Sequence, residues 1–131
     1  MSGSELHRMT VAQLAKLVES QQTSPVEIAE AFINRATKLQ ATLNAFITPT
    51  YEQALAKASL AEAEIMNGNY KGPLHGIPIG LKDLFWTKNV RTTSGSAVTA
   101  DFFPTEDATV VTKLQNAGSY SIAKTNMVEY A

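Results

Sequence analysis

Lys82 is set inside an apolar run, Ile77-Pro78-Ile79-Gly80-Leu81, with Leu84, Phe85 and Trp86 close behind. A lysine is rarely buried unless it is paired or put to use. In an extended strand, side chains alternate between faces. Ile77, Ile79, Leu81 and Asp83 then share one face, and Pro78, Gly80, Lys82 and Leu84 the other. The lysine projects over glycine and proline, which leave room above the backbone. Kept dry there, its amine would have a lowered pKa and could serve as a base. The plainer alternative is a strand-end lysine whose stem packs while its ammonium reaches water. A second candidate is Thr92-Thr93-Ser94-Gly95-Ser96, a cluster of hydroxyls on flexible backbone. It could offer backbone N–H groups to an anion or hydroxyls to a lysine, and Ser–Lys nucleophile pairs occur in hydrolases. The same composition is common in surface turns. His75 reads as a loop hydrogen-bonder and not as a ligand or base. Asp83 could pair with Lys82, but strand neighbours point opposite ways, so a role in loop bonding is favoured. Glu106-Asp107 reads as the charge and cap of a helix start. Gly72, Gly76 and Gly80 are spaced by four, yet no Gly-Lys-Ser/Thr follows, so a phosphate loop is unsupported.

The elements that must position these residues are legible in outline. Thr10-Val11-Ala12-Gln13 fits a capping box, with Val11, Leu14, Leu17 and Val18 on one helical face. Ser24-Pro25-Val26-Glu27 offers serine at the N-cap, proline at the first helical position and glutamate at the third. Ile28, Phe32, Ala36 and Leu39 continue it as an apolar stripe. An extended piece, Ala45 to Thr48, leads to a third start at Thr50-Tyr51-Glu52-Gln53. That helix runs to about Met66, where Asn67-Gly68-Asn69 stops it. Beyond Gly72 the texture changes. Ile77 to Lys82 reads as a short strand, Asp107 to Ala117 as a helix ended by Gly118, and Tyr120 to Ala123 as a second strand. Strand, helix, strand predicts a right-handed βαβ unit. Its crossover from Leu84 to Glu106 is long for a structureless loop, and such loops are often functional.

Bulk composition narrows the function. The 131 residues suit one domain, and 44% hydrophobic with 18% charged content reads as globular. Net charge is −1 with no Lys/Arg cluster, which argues against direct nucleic-acid binding and against a polybasic membrane anchor. There is no cysteine, so thiol nucleophiles and disulfides are excluded, and the only histidines are His7 and His75, so no structural metal site is expected. No signal peptide and no apolar run of membrane-spanning length is visible, which makes a soluble cytoplasmic protein the default. Three strands against four helices, in a sheet type that needs cover, read as the front portion of a larger α/β domain.

Gly72-Pro73-Leu74-His75-Gly76-Ile77-Pro78-Ile79-Gly80-Leu81-Lys82-Asp83 resembles the opening motif of the amidase signature family. So do, in the same order, Arg91-Thr92-Thr93-Ser94-Gly95-Ser96, Asp107-Ala108-Thr109-Val110-Val111 and Lys124-Thr125-Asn126-Met127. The N-terminal helices are similar as well, and the resemblance covers nearly the whole chain. It implies an N-terminal portion of an amidase signature domain, residues 1–131, with 1–70 mainly helical and 71–131 beginning the α/β core with the lysine motif. The implied fold class is α/β: N-terminal helices followed by the first strands of a mixed sheet covered by helices. The family hydrolyses or transfers amides through an acyl-enzyme with a Ser–Ser–Lys triad and no cofactor. The resemblance makes Lys82 the triad lysine, acting as base on a bridging serine held by a cis peptide. It implies that Thr93, Ser94, Gly95 and Ser96, with Thr125, Asn126 and Met127, shape the substrate site. Both triad serines belong to a Gly/Ser-rich segment downstream of Lys-Thr-Asn-Met, and no Gly-Gly-Ser-Ser-Gly-Gly run occurs in these residues. Ser94 and Ser96 match neither serine. Ala123 stands where a glycine is common before the lysine. The resulting expectation is a serine amidohydrolase fragment that is inactive alone, with a small-molecule amide as substrate. Alternatives are the amidase subunit of a tRNA-dependent amidotransferase, a non-catalytic chain that needs a homodimer partner or a complementing C-terminal portion, and a self-contained Ser–Lys hydrolase using Ser94 or Ser96.

Overall fold

The computed structural model describes residues 5–131. Helix α1 (Val11–Glu19) begins with the capping box read from sequence: Thr10 Oγ1 accepts from the Gln13 N–H, and the Gln13 side chain accepts from the Thr10 N–H. Helix α2 (Pro25–Leu43) repeats the device with Ser24 and Glu27, and Pro25 opens its first turn. It ends at Asn44, which adopts the left-handed conformation with φ 46°. Leu14 and Val18 of α1 pack with Leu6, Ile28, Ile65 and Ile77 into one apolar cluster. Val11 does not join them, because it sits at the first helical position and stays exposed.

Strand β1 (Phe46–Pro49) leads into helix α3 (Tyr51–Met66). The start after Thr50 is where the sequence places it, but the cap is absent. The Thr50 hydroxyl donates to the Ser121 carbonyl instead, tying the helix to the sheet. Alanines at 54, 58 and 61 face inward along α3. Their small side chains let α3 approach closely, and Ala54 and Ala58 meet Ala29 and Tyr120 in a second cluster. Helices α2 and α3 pack on each other, and α3 lies against the sheet.

Strand β2 (Pro78–Lys82), helix α4 (Thr109–Asn116) and strand β3 (Tyr120–Thr125) complete the order. The sheet runs β1-β3-β2, with β1 antiparallel and β2 parallel to the central β3. This is the mixed sheet with helical cover that the sequence implied. Strand β3 extends past Ala123 to include Lys124 and Thr125, because those residues find partners on both sides, Leu81 and Lys82 in β2 and Phe46 and Thr48 in β1. Helix α4 begins at Thr109, two residues later than expected. Asp107 does not cap it: Ala108 occupies the N-cap, and Asp107 Oδ1 accepts from the Lys88 N–H, closing the crossover loop. Gly118 turns the chain out of α4 at φ 87°, where an added Cβ would sit 2.4 Å from His75 Cδ2. Only glycine fits that contact. His75 is fully buried, accepting from the Lys71 N–H at Nδ1 and pairing through Nε2 with Glu64, the loop-bonding role expected of it.

Candidate functional site

The ends of β2 and β3 lie side by side, with Lys82 registered against Thr125. The candidate residues gather around this carboxyl end. The Ser94 N–H donates to the Asp83 carbonyl at 2.9 Å, which folds the 93–96 turn back onto the end of β2. Residues 127–130 cover the turn from the other side. The Tyr130 N–H donates to the Ser94 carbonyl, and Ser96 Oγ donates to Glu129 Oε1 at 2.6 Å. Gly95 has φ 70°, and a Cβ there would lie 2.9 Å from the Met127 carbonyl, so the close approach depends on glycine. Asn126 anchors the return to β1: its N–H donates to Ala45 O and its side-chain amide to Asn44 O.

Lys82 itself is exposed, as is Gly80 on the same side, while Leu81 and Asp83 are buried. The alternation of faces expected from the sequence holds from Gly80 onward. It fails at Pro78, which is buried. The dry setting expected for Lys82 is not supplied by the described residues. The plainer strand-end picture describes its surroundings in this chain. Ser94 and Ser96 form no hydrogen bond with Lys82 among the described residues, and Ser96 Oγ is occupied with Glu129 and the Val98 N–H. A Ser–Lys pair within this chain is therefore not assembled.

The buried lysine is a different one. Lys124 is fully buried and donates from Nζ to Phe85 O at 2.8 Å and Thr92 Oγ1 at 2.7 Å. Its Nζ also lies 3.6 Å from Oδ1 of Asp83, which is likewise fully buried. Burial pushes the Lys124 amine below its ordinary value, and Asp83 opposes that shift. Every group around Nζ is an acceptor. Thr92 Oγ1 has already given its own proton to Val90 O. The site therefore calls for an ammonium that donates, not for a base. Asp83 Oδ2 accepts from both the N–H and the hydroxyl of Thr93. The loop-bonding role expected of Asp83 is present, with Lys124 in place of Lys82 as its ion partner. The sequence marks Lys124 only as the first residue of the Lys124–Met127 motif implied to shape the site, and a strand predicted to end at Ala123 gives no reason to expect its burial. The signal was available: Lys124 follows Tyr120-Ser121-Ile122-Ala123 much as Lys82 follows its own apolar run. Among the described residues, no three His, Cys, Asp or Glu side chains gather in a way that could hold a metal ion.

A parallel strand pair with helical cover, its carboxyl ends lined by a lysine, a hydroxyl-rich turn and an Asn-containing return, defines the class: an α/β fold whose candidate site lies at its strand ends. The chain belongs to the Amidase family, whose model matches residues 27–131. Among curated relatives, it is 47% identical over 122 residues to one subunit of the glutamyl-tRNA(Gln) amidotransferase of Azoarcus sp. (strain BH72), covering 93% of this chain and 25% of that protein. The corresponding subunit of Azotobacter vinelandii is 46% identical over 126 residues, covering 96% and 26%. Among solved structures, native peptide amidase from Stenotrophomonas maltophilia matches with TM-score 0.88 and 32% identity over 94% of this chain and 26% of that one. An amidase family protein from Bacillus anthracis matches with TM-score 0.89 and 29% identity, covering 98% and 26%. The chain thus spans about a quarter of the length of the relatives it matches. No helix among the described residues is long and apolar enough to cross a membrane.

Proposed function

We propose that these residues supply the lysine and one wall of the site of an enzyme that cleaves the C–N bond of a carboxamide. The observation that carries this reading is convergence. Lys82, the Thr93–Ser96 turn and Thr125–Met127 are distant in sequence, match the family's motifs one by one, and meet at one end of the parallel pair β2–β3. In the proposed reaction, Lys82 Nζ acts as a neutral amine. It accepts, through a bridging serine, the proton of a nucleophilic serine that attacks the amide carbon. The C–N bond breaks, the amine leaves with a proton, and an acyl-enzyme remains for water or ammonia to resolve. Both serines would come from a segment other than these residues, so the 131 residues alone are proposed to be inactive. Thr93, Ser94, Gly95, Ser96, Thr125, Asn126 and Met127 shape the wall beside the amine.

A second reading within the same chemistry is the amidase subunit of a glutamyl-tRNA amidotransferase. It is favoured by the 44–47% identity to several such subunits, against 32% to the peptide amidase. The test is a chimera in which residues 5–131 replace the matching quarter of the Azoarcus protein, with ammonia release from simple carboxamides, glutamine among them, as the readout. The chimera is expected to be active and Lys82→Gln to lower its rate by about 10²–10⁴-fold. Full activity with Lys82→Gln removes Lys82 from the mechanism. Steady ammonia release by the 131-residue chain itself, lost with Lys82→Ala, overturns its proposed inactivity.

A further inference from the structure

The family reading uses Lys82 and leaves the buried Asp83–Lys124 pair without a task. We propose that Asp83 and Lys124 are positioning residues that lock the end of β2 and the 93–96 turn, and so fix where the Lys82 amine is presented. The inference rests on the reading of Lys82 as the base.

Each Asp83 group is engaged at a different place. Its N–H donates to Thr125 O at 3.2 Å, its carbonyl accepts from the Ser94 N–H, and Oδ2 accepts twice from Thr93. Oδ1 has no hydrogen-bond partner and faces Lys124 Nζ. Thr93 Oγ1 in turn accepts from the Gly95 N–H, extending the chain of bonds through the turn. Lys124 ties three points of the crossover together: its start at Phe85, its middle at Thr92, and the strand end at Asp83. The crossover between Lys82 and Thr109 contains only one turn of 3₁₀ helix, Ala97–Thr99, so it has little regular structure to hold its shape. Lys82 is one peptide unit from Asp83. With both backbone groups of Asp83 bonded, the strand end carrying Lys82 cannot fray.

A buried ion pair is a poor device for stability alone, since apolar residues of similar volume often do as well or better. Apolar residues could not accept from Thr93 or donate to Phe85 and Thr92. What the pair adds is geometry: it specifies where the turn and the strand end sit relative to each other.

The test is amide hydrogen exchange, read by NMR on the 131-residue chain. The reporter amides are Asp83, Thr93, Ser94 and Gly95, and the reference amides are Ile28 and Ala54 in the helical layer. Asp83→Asn and Lys124→Met are each expected to speed exchange at the reporters by about tenfold or more beyond whatever change the loss of global stability brings to the references. The double variant also lacks the Lys124 donors to Phe85 and Thr92, so its reporters are expected to stay quickened by about tenfold or more; their return to the original rates would show that only the unpaired charge mattered and overturns the proposal. A purely stabilising pair would move reporters and references together, and that result overturns the proposal, as do unchanged reporters. If the single variants do not fold, Thr93→Val takes their place. It removes one donor to Asp83 and the acceptor of Gly95, and the Gly95 amide must then quicken without Ile28. In the chimera, Asp83→Asn is expected to lower kcat with KM little changed. Loss of the exchange pattern while Lys82→Gln still abolishes activity defeats the positioning proposal alone. An intact pattern with Lys82→Gln fully active defeats the reading of Lys82 instead.

Discussion

Two lysines stand at the ends of adjacent strands, each preceded by an apolar run, and their surroundings are opposite. Lys82 on β2 is exposed beside Gly80. Lys124 on β3 is buried among a carboxylate, a carbonyl and a hydroxyl. The same local pattern yields an exposed side chain in one case and an enclosed one in the other. The difference lies in what returns over each strand. The crossover folds back over Lys124 and brings Phe85 and Thr92 to it, whereas no described segment folds over the Lys82 side. A lysine in an apolar run is thus a flag for a site, and its surroundings decide whether it holds structure or is left for chemistry.

The sharpest way to break the contrast is to remove each amine in turn. Lys124→Ala leaves the Asp83 carboxylate buried and unpaired, and is expected to cost about 3–5 kcal/mol in urea unfolding. An effect near zero would mean that Asp83 is solvated or protonated and that no locked pair exists.

The two ends of β3 sharpen it by pH. Burial holds the Tyr120 phenol well above its ordinary value of 10.0, and holds Lys124 below 10.5. Above pH 10 the unfolded chain loses the phenol proton that the folded chain keeps, so stability falls, by up to about 1.4 kcal/mol per pH unit. Lys124 acts with opposite sign. Between its lowered folded value and 10.5 the unfolded chain holds the extra proton, so stability rises with pH there. Urea midpoints across alkaline pH are expected to lose most of the falling limb in Tyr120→Phe, the remainder coming from Tyr70, whose phenol burial also raises, and to lose the rising limb in Lys124→Met. A Tyr120→Phe curve that still falls as steeply as the original would assign the limb elsewhere.

Away from the strand ends, Ser24→Ala removes the capping box of α2 and is expected to cost about 1 kcal/mol. Exchange at the 93–95 amides should not respond, since the cap is local to the helical layer. Smallest of all, Lys82→Gln is expected to stay within about 0.5 kcal/mol of the original, as an exposed substitution should. A loss comparable to that of Lys124→Ala would show Lys82 to be structural and erase the contrast.

Helix starts were legible where their signals are self-contained. Thr10 with Gln13 and Ser24 with Glu27 satisfy each other within four residues, so no distant segment can change the outcome. Thr50 and Asp107 carry the same types of cue, but distant groups outcompete the local helix for them: Ser121 O takes the hydroxyl of one and the Lys88 N–H the carboxylate of the other. The chemical motifs were legible because residue type and order are sequence properties. Their meeting at one strand end was not, since it depends on β3 pairing with β2 at the register Lys82 to Thr125.

By itself, the sequence determined the helical first half, the change to strands beyond Gly72, the motif lysine at 82 and the absence of cysteine chemistry. These follow from local capping, periodicity and composition. Tertiary structure alone decided which lysine is buried. Burial is a property of what packs on a residue, and the groups that enclose Lys124 come from the start and middle of the crossover, which only the folded chain brings to the end of β3.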